Sequence, residues 1–161
     1  MARLPDRFDL WIRKARECED PIRQIDYVLG SLVALGEWHF LNVGTKESPE
    51  PAMAEIDGGR YLLVFSDVDR IEEMFEGRNK DEPLPVISMS TEKAMAWCIE
   101  RATEGYGGLL LNPGDYAALI PMPQLEYFQA EWQQRGGRQA SGYWIPNMTS
   151  EEEDFWQERG L

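Results

Sequence analysis

The sequence predicts an α+β fold: a single domain over residues 1–161, with a mixed sheet of about five strands packed by N-terminal helices and crossover helices. Three observations point there. Ile22, Ile25, Val28, Leu29, Leu32 and Val33 form a wide apolar stripe at helical spacing. Asp57-Gly58-Gly59 joins two short strand-forming runs, 53–56 and 60–65, as a hairpin turn does. From residue 60 to 111, strand and helix patterns alternate, which suggests right-handed crossovers within one sheet.

The elements follow in order. Phe8, Trp11, Ile12 and Ala15 fall on one helical face, with Asp6 placed to cap it. Glu19-Asp20-Pro21 ends that segment and starts the next, because proline at the first turn loses no hydrogen bond. Gly36 stops the second helix. Glu37 to Val43, rich in aromatic and branched residues, reads as a strand apolar on both faces, and Gly44 to Pro51 as a loop. Ser66 is placed to cap a helix with Asp67 and Asp69 at its positive end and with Val68, Ile71, Met74 and Phe75 buried. Gly77 ends it, and Arg78 to Pro85 is a polar loop. Val86 to Met89 is a strand, and Ser90 opens a helix that buries Met95, Cys98, Ile99 and Ala102. Gly105 to Gly108 leads into strand Leu109 to Leu111, buried on both faces, and Ala117 to Ile120 reads as another strand, with a helical turn as the alternative. Pro123 sits in the first turn of a helix carrying Leu125, Phe128 and Trp132, which Gly136-Gly137 stops. The tail is extended over Gly142 to Pro146; Thr149 then begins a capping-box pattern ahead of Phe155 and Trp156.

Composition narrows the functional classes. No apolar run approaches the ~20 residues of a membrane helix, and the N-terminus lacks a signal-peptide layout. Cys18 and Cys98 stand far apart in no metal or redox spacing, so reduced thiols in a cytoplasmic protein are expected. The formal net charge is −13. Residues 1–30 hold six basic and six acidic side chains, so the whole excess lies beyond residue 30. Such a surface repels phosphate backbones and anionic membranes, and it suits a basic protein partner as well as simple solubility.

Motifs that could hold chemistry mostly have simpler readings. His39 is the only histidine, so no second one completes a zinc site of the usual kind, and no Gly-x-Ser-x-Gly elbow is present. A strand histidine bonded to a neighbour accounts for it. Asp67, Asp69, Glu72 and Glu73 lack the glycine and full ligand set of a calcium loop. Gly105-x-Gly107-Gly108 follows a helix and precedes a strand, the reverse of a phosphate loop. Asn112-Pro113-Gly114-Asp115 ends a buried strand, where open sheets place ligand sites, yet a tight turn needs the same residues. Tyr143, Trp144, Phe155 and Trp156 load the tail with aromatics, which either anchor a partner or staple the tail to its own domain.

From about Pro21 to Leu125 the order of signals resembles the SseB N-terminal-like domains. The resembling pieces are Leu32-Val-Ala-Leu35, Trp38-His-Phe-Leu41, Asp57-Gly-Gly-Arg-Tyr-Leu-Leu-Val-Phe65 and Gly108-Leu-Leu-Leu-Asn-Pro-Gly114. Family members often continue the third motif as Phe-Thr-Ser, where this chain reads Phe65-Ser66-Asp67. Longer members carry a second, C-terminal domain, for which this chain has no room. The family is linked by name to serine sensitivity, its relatives to secretion or protein interaction, and it has no established catalytic residues. The resemblance therefore implies a bacterial, cytoplasmic, non-enzymatic module with no cofactor. The expected function is binding of a protein partner, with Asn112, Asp115, Tyr143, Trp144, Phe155 and Trp156 as the candidate surface. An immunity-type protein that neutralises a basic toxin is one alternative. A small hydrolase or ligand-binding protein with a pocket near Asn112 to Asp115 is another, and homodimerisation through a sheet edge or the tail is open.

Overall fold

Strand β3 (Gly59–Val64) organises the molecule, because its side chains alternate between two cores as the pleat requires. Leu62 and Val64 enter the larger core, while Leu63 and the following Phe65 enter a smaller one with Ala52 and Ile71. The computed structural model describes residues 7–75, 81, 84–114, 117–137 and 142–158. Asp6 and Gly77, expected to bound helices, lie outside them.

The described residues form two sheets. A four-stranded mixed sheet has the order β2 (Met53–Ile56), β3, β5 (Tyr106–Leu111), β6 (Ala118–Pro121). The hairpin at Asp57-Gly58-Gly59 pairs β2 with β3, and Asp57 and Gly58 both adopt positive φ. Strands β3 and β5 pair in parallel, with a register shift between Arg60 and Tyr61, and β6 returns antiparallel to β5. The remaining strands, β1 (Glu37–Leu41) and β4 (Val86–Ser90), pair antiparallel as a separate two-stranded sheet. The expected sheet of about five strands is thus six strands in two sheets, linked by two isolated bridges: His39 to Phe65 just past β3, and Asn42 just past β1 to Pro51 just before β2. Strand β4 leaves the crossover from β3 to β5 to pair with β1, so the crossover contains a strand of the other sheet.

Helices cover the sheets on both sides. The larger core receives α1 (Arg7–Arg16), α2 (Pro21–Leu35), α4 (Thr91–Glu100) and α5 (Met122–Arg135). The smaller receives α3 (Val68–Met74) through Ile71. The termini of α2 follow the sequence: Asp20 accepts from the backbone N–H of Ile22 and Arg23, Pro21 opens the helix, and Gly36 closes it at φ 80°. No helix among the described residues is long and apolar enough to cross a membrane.

Four local expectations change. The cap of α3 is Asp67, whose carboxylate accepts from the Asp69 N–H at 2.7 Å, because Ser66 is engaged elsewhere. On α3, Met74 is exposed and Arg70 is buried in its place, its guanidinium 2.6 Å from the buried Asp9 of α1. Strand β1 ends at Leu41, leaving Val43 60% exposed. Ile22, assigned to the buried stripe of α2, is 56% exposed. Ile22 borders an open cleft against α5 and residues 146–147.

Gly108 of β5 stands opposite Pro121 of β6. A Cβ there would stand 2.0 Å from the Ile120 carbonyl oxygen, so only glycine fits without moving the strand. Beyond α5, residues 143–147 run as an irregular strap to α6 (Ser150–Glu158). The strap crosses α2 at Gly30, where a Cβ would meet Ile145 Cγ2 at 2.6 Å and the Trp144 carbonyl and Tyr143 ring at 2.8 Å. A glycine in the middle of a helix is costly by propensity; here it makes room for another stretch of backbone.

Candidate functional site

The residues expected to form a surface separate into distinct surroundings. Asn112 is buried at the end of β5 with φ 46°, a left-handed conformation that asparagine tolerates. Its side-chain oxygen accepts from the Ser66 N–H at 2.9 Å, its amide donates to the Ser66 hydroxyl at 2.9 Å, and its own N–H donates to the Val64 carbonyl at 2.9 Å. These three bonds tie the ends of the two parallel strands. The amide of Asn112 is therefore turned into the fold. Asp115 lies outside the described residues, as do the side chains of Phe155 and Trp156.

Tyr143 is buried, and the Trp144 ring meets Phe128 edge-on at 5.5 Å with Arg135 5.4 Å above it. Those two aromatics staple the strap to the domain. The capping box forms as the sequence suggests: the Thr149 hydroxyl accepts from the Glu152 N–H at 3.2 Å, and Glu152 accepts from the Thr149 N–H at 3.1 Å.

His39 faces Ser88 across β1 and β4, with Nδ1 2.7 Å from the Ser88 hydroxyl. A hydroxyl beside an imidazole is two parts of a nucleophilic triad, but no carboxylate bonds the ring's other nitrogen among the described residues. Among those residues no group of three or more His, Cys, Asp or Glu is placed to hold a metal. Burial pushes the Cys98 thiol up to about 12 against the opposing charge of Arg101, so it is a poor nucleophile at neutral pH.

The best-formed polar arrangement was not among those expected. Arg23 of α2 binds the strap and α6 together. Its Nε and Nη2 grip Glu152 at 3.2 and 2.5 Å, and its two Nη atoms donate to the carbonyls of Pro146 at 2.6 Å and Asn147 at 3.2 Å. Nη1 also donates to Asp26 at 3.3 Å. A guanidinium has five N–H donors, and all are used.

The two carboxylates around Arg23 respond oppositely. Burial would raise Glu152, but the bond from Arg23, the Thr149 backbone N–H, the Tyr27 hydroxyl and the charge of Arg23 outweigh it, so its pKa falls below the usual value. For Asp26 burial wins: the single 3.3 Å bond and the charge of Arg23 offset it only in part, nearby Asp20 and Glu152 add to the rise, and its pKa lies above the usual value. Arg23 itself is raised: burial lowers it, but bonds and charge from Glu152 and Asp26 prevail. Burial and the bond to Glu152 likewise push the Tyr27 hydroxyl up.

Arg23 and Asp26 also line an open cleft of about 290 Å³ between α2, α5 and the strap, shared with Ile22, Pro123, Gln124, Tyr127, Pro146 and Asn147. Ile22 and Tyr127 form its apolar lips, 56% and 47% exposed. In sequence, Ile22, Arg23 and Asp26 share one helical face, as do Pro123, Gln124 and Tyr127. What the sequence did not show is that these two faces meet.

Searches of the curated proteins and of the solved structures find no match. The family model described as the SseB protein N-terminal domain matches residues 32–127, which runs from the last turn of α2 through all six strands to the second turn of α5. The cleft straddles the border of that match, with Tyr127 inside it and Arg23, Asp26 and the strap outside. On the strength of the matched segment, which holds both sheets and their crossovers, the chain belongs to the SseB N-terminal domain family.

Proposed function

We propose that this SseB-type domain is a non-enzymatic protein-interaction module that binds a basic partner. The supporting observation is the charge distribution. The entire excess of thirteen negative charges lies beyond residue 30, and exposed carboxylates occur on α3 (Asp69, Glu72, Glu73) and on α6 (Glu151, Glu153, Asp154). Charge of one sign speeds encounter with a partner of the other sign and disfavours wrong partners, without requiring a reaction centre. An immunity-type protein that neutralises a basic toxin is one specific form of this function. A hydrolase at His39 and Ser88 is less well supported, since the ring has no orienting carboxylate among the described residues.

The test is affinity capture from the native host at low and high salt. One basic protein should be retained at about 0.1 M salt and lost toward about 1 M, as the screening length falls from about 10 Å to about 3 Å. Absence of a specific partner at both salt concentrations would overturn the proposal.

A further inference from the structure

We infer that the cleft between α2, α5 and the strap is the subsite that takes a lysine or arginine side chain of the protein partner, with its cation on Asp26 and its methylene stem against Ile22 and Tyr127. The inference rests on the interaction function proposed above and gives it a place on the molecule.

The balance of donors and acceptors carries the argument. Arg23 lines the cleft, but each of its five N–H groups already has an acceptor, so it has none left for an incoming anion. Asp26 has acceptor capacity to spare. Its Oδ2 receives one bond at 3.3 Å from Arg23, and its Oδ1 receives none from any described residue. The side chain is only 9% exposed, and a largely buried carboxylate with so few donors is costly. The raised pKa of Asp26 has the same cause. A cation entering the cleft supplies the missing donors; a phosphate or carboxylate would meet the charge of Asp26 with only the neutral donors of Gln124, Asn147 and Tyr127 beside it and Arg23 already committed.

The apolar lips fit the rest of such a side chain. Lysine and arginine bury their methylene stems along apolar surface while the charged head seeks a polar partner. Ile22 and Tyr127 offer that surface, and a tyrosine face also attracts a cation. At about 290 Å³ the cleft is at the lower end of small-molecule pockets, which suits one side chain presented by a larger partner.

Selection of peptides from a random-sequence display library on the immobilised full-length protein tests this directly. Enriched peptides should carry lysine or arginine beside an apolar residue. They should bind Tyr127→Ser about tenfold more weakly or worse, as a central anchor does. Asp26→Asn should weaken them similarly, and Glu55→Gln on the β2 edge should leave them unchanged. Tyr127 and Glu55 are both exposed, so circular dichroism and thermal unfolding should match the parent chain for those two variants. Enrichment of acidic or uncharged peptides, no enrichment over a blank surface, or full affinity for Tyr127→Ser would overturn the inference. The two proposals fail separately. A host partner that Tyr127→Ser still captures leaves the interaction function standing and removes this subsite, whereas cleft-dependent peptides with no host partner do the reverse.

Discussion

The junction of Asn112 with Ser66 and the cleft beside Arg23 are both places where polar side chains gather at the edge of the core, yet they are built to different ends. At the junction the Asn112 side-chain oxygen, amide and backbone N–H all point to Val64 of β3 or to Ser66 two residues beyond it, and the group is 3% exposed. In the cleft the hydrogen bonding is lopsided: Arg23 is saturated and Asp26 is not. A polar group that meets its partners inside the chain stabilises the fold. One left short of partners and open to solvent is where another molecule can add something.

Three changes would break or sharpen that contrast. The largest effect is expected from Arg23→Ala. It removes a group that joins α2 to both the strap and Glu152, and it leaves Asp26 without the one donor it has among the described residues. A fully buried pair broken this way costs about 3–5 kcal/mol, and the 21% exposure of the Arg23 side chain reduces that to about 2 kcal/mol. Denaturant unfolding should show the loss, and tryptophan fluorescence should report Trp144 moving toward water. A change below about 0.5 kcal/mol would mean that the aromatic packing alone holds the strap.

Asn112→Ala comes next. It strands the Ser66 N–H and hydroxyl at a buried strand end, and a loss of about 1–2 kcal/mol is expected in urea unfolding. Peptides selected on the cleft should bind this variant as they bind the parent. If binding fell while stability held, Asn112 would be part of a site after all and the contrast would collapse.

The smallest effect is in pH. The depressed pKa of Glu152 contributes stability that is fully present above its ordinary value and is lost as pH falls through the folded one. Asp26 has the opposite sign: its folded pKa is raised, so the fold gains stability as pH falls through that value and the buried charge is neutralised. On acidification stability should therefore first rise slightly and then fall. Thermal unfolding across the acid range checks this, with Asp26→Asn expected to abolish the rise and Glu152→Gln to shrink the fall.

Much of the fold was legible because it is written in short-range pattern. The stripe of α2, the glycine hairpin, the capping box at Thr149 and the strand at Leu109 to Leu111 each span a few residues, and each formed where local chemistry put it. Misreadings arose where a distant partner outbid a local one. Ser66 looks like a cap until Asn112, 46 residues away, takes its N–H and hydroxyl. Met74 looks buried until Arg70 turns inward to Asp9, 61 residues away. The cleft was illegible for the same reason, since nothing local in Pro21–Leu35 says that Arg23 will meet Pro146. One signal was available: Gly30 breaks an otherwise strong helical stripe, which asks for a packing reason. The strap is that reason.

The crossing at Gly30 also has a temporal side. The chain is made from its N-terminus, and the strap reaches Arg23 across 123 residues of sequence, so its docking site on α2 is complete long before the strap exists. Closing so long a loop carries an entropy cost that short-range contacts escape. Throughout synthesis the face of α2 around Gly30 stands uncovered, next to Val28, Leu29 and Leu32, all of which are buried in the finished molecule. The hazard for this protein is thus concentrated in the interval before residues 143–147 emerge, when the rest of the fold waits for the strap to cover one helix.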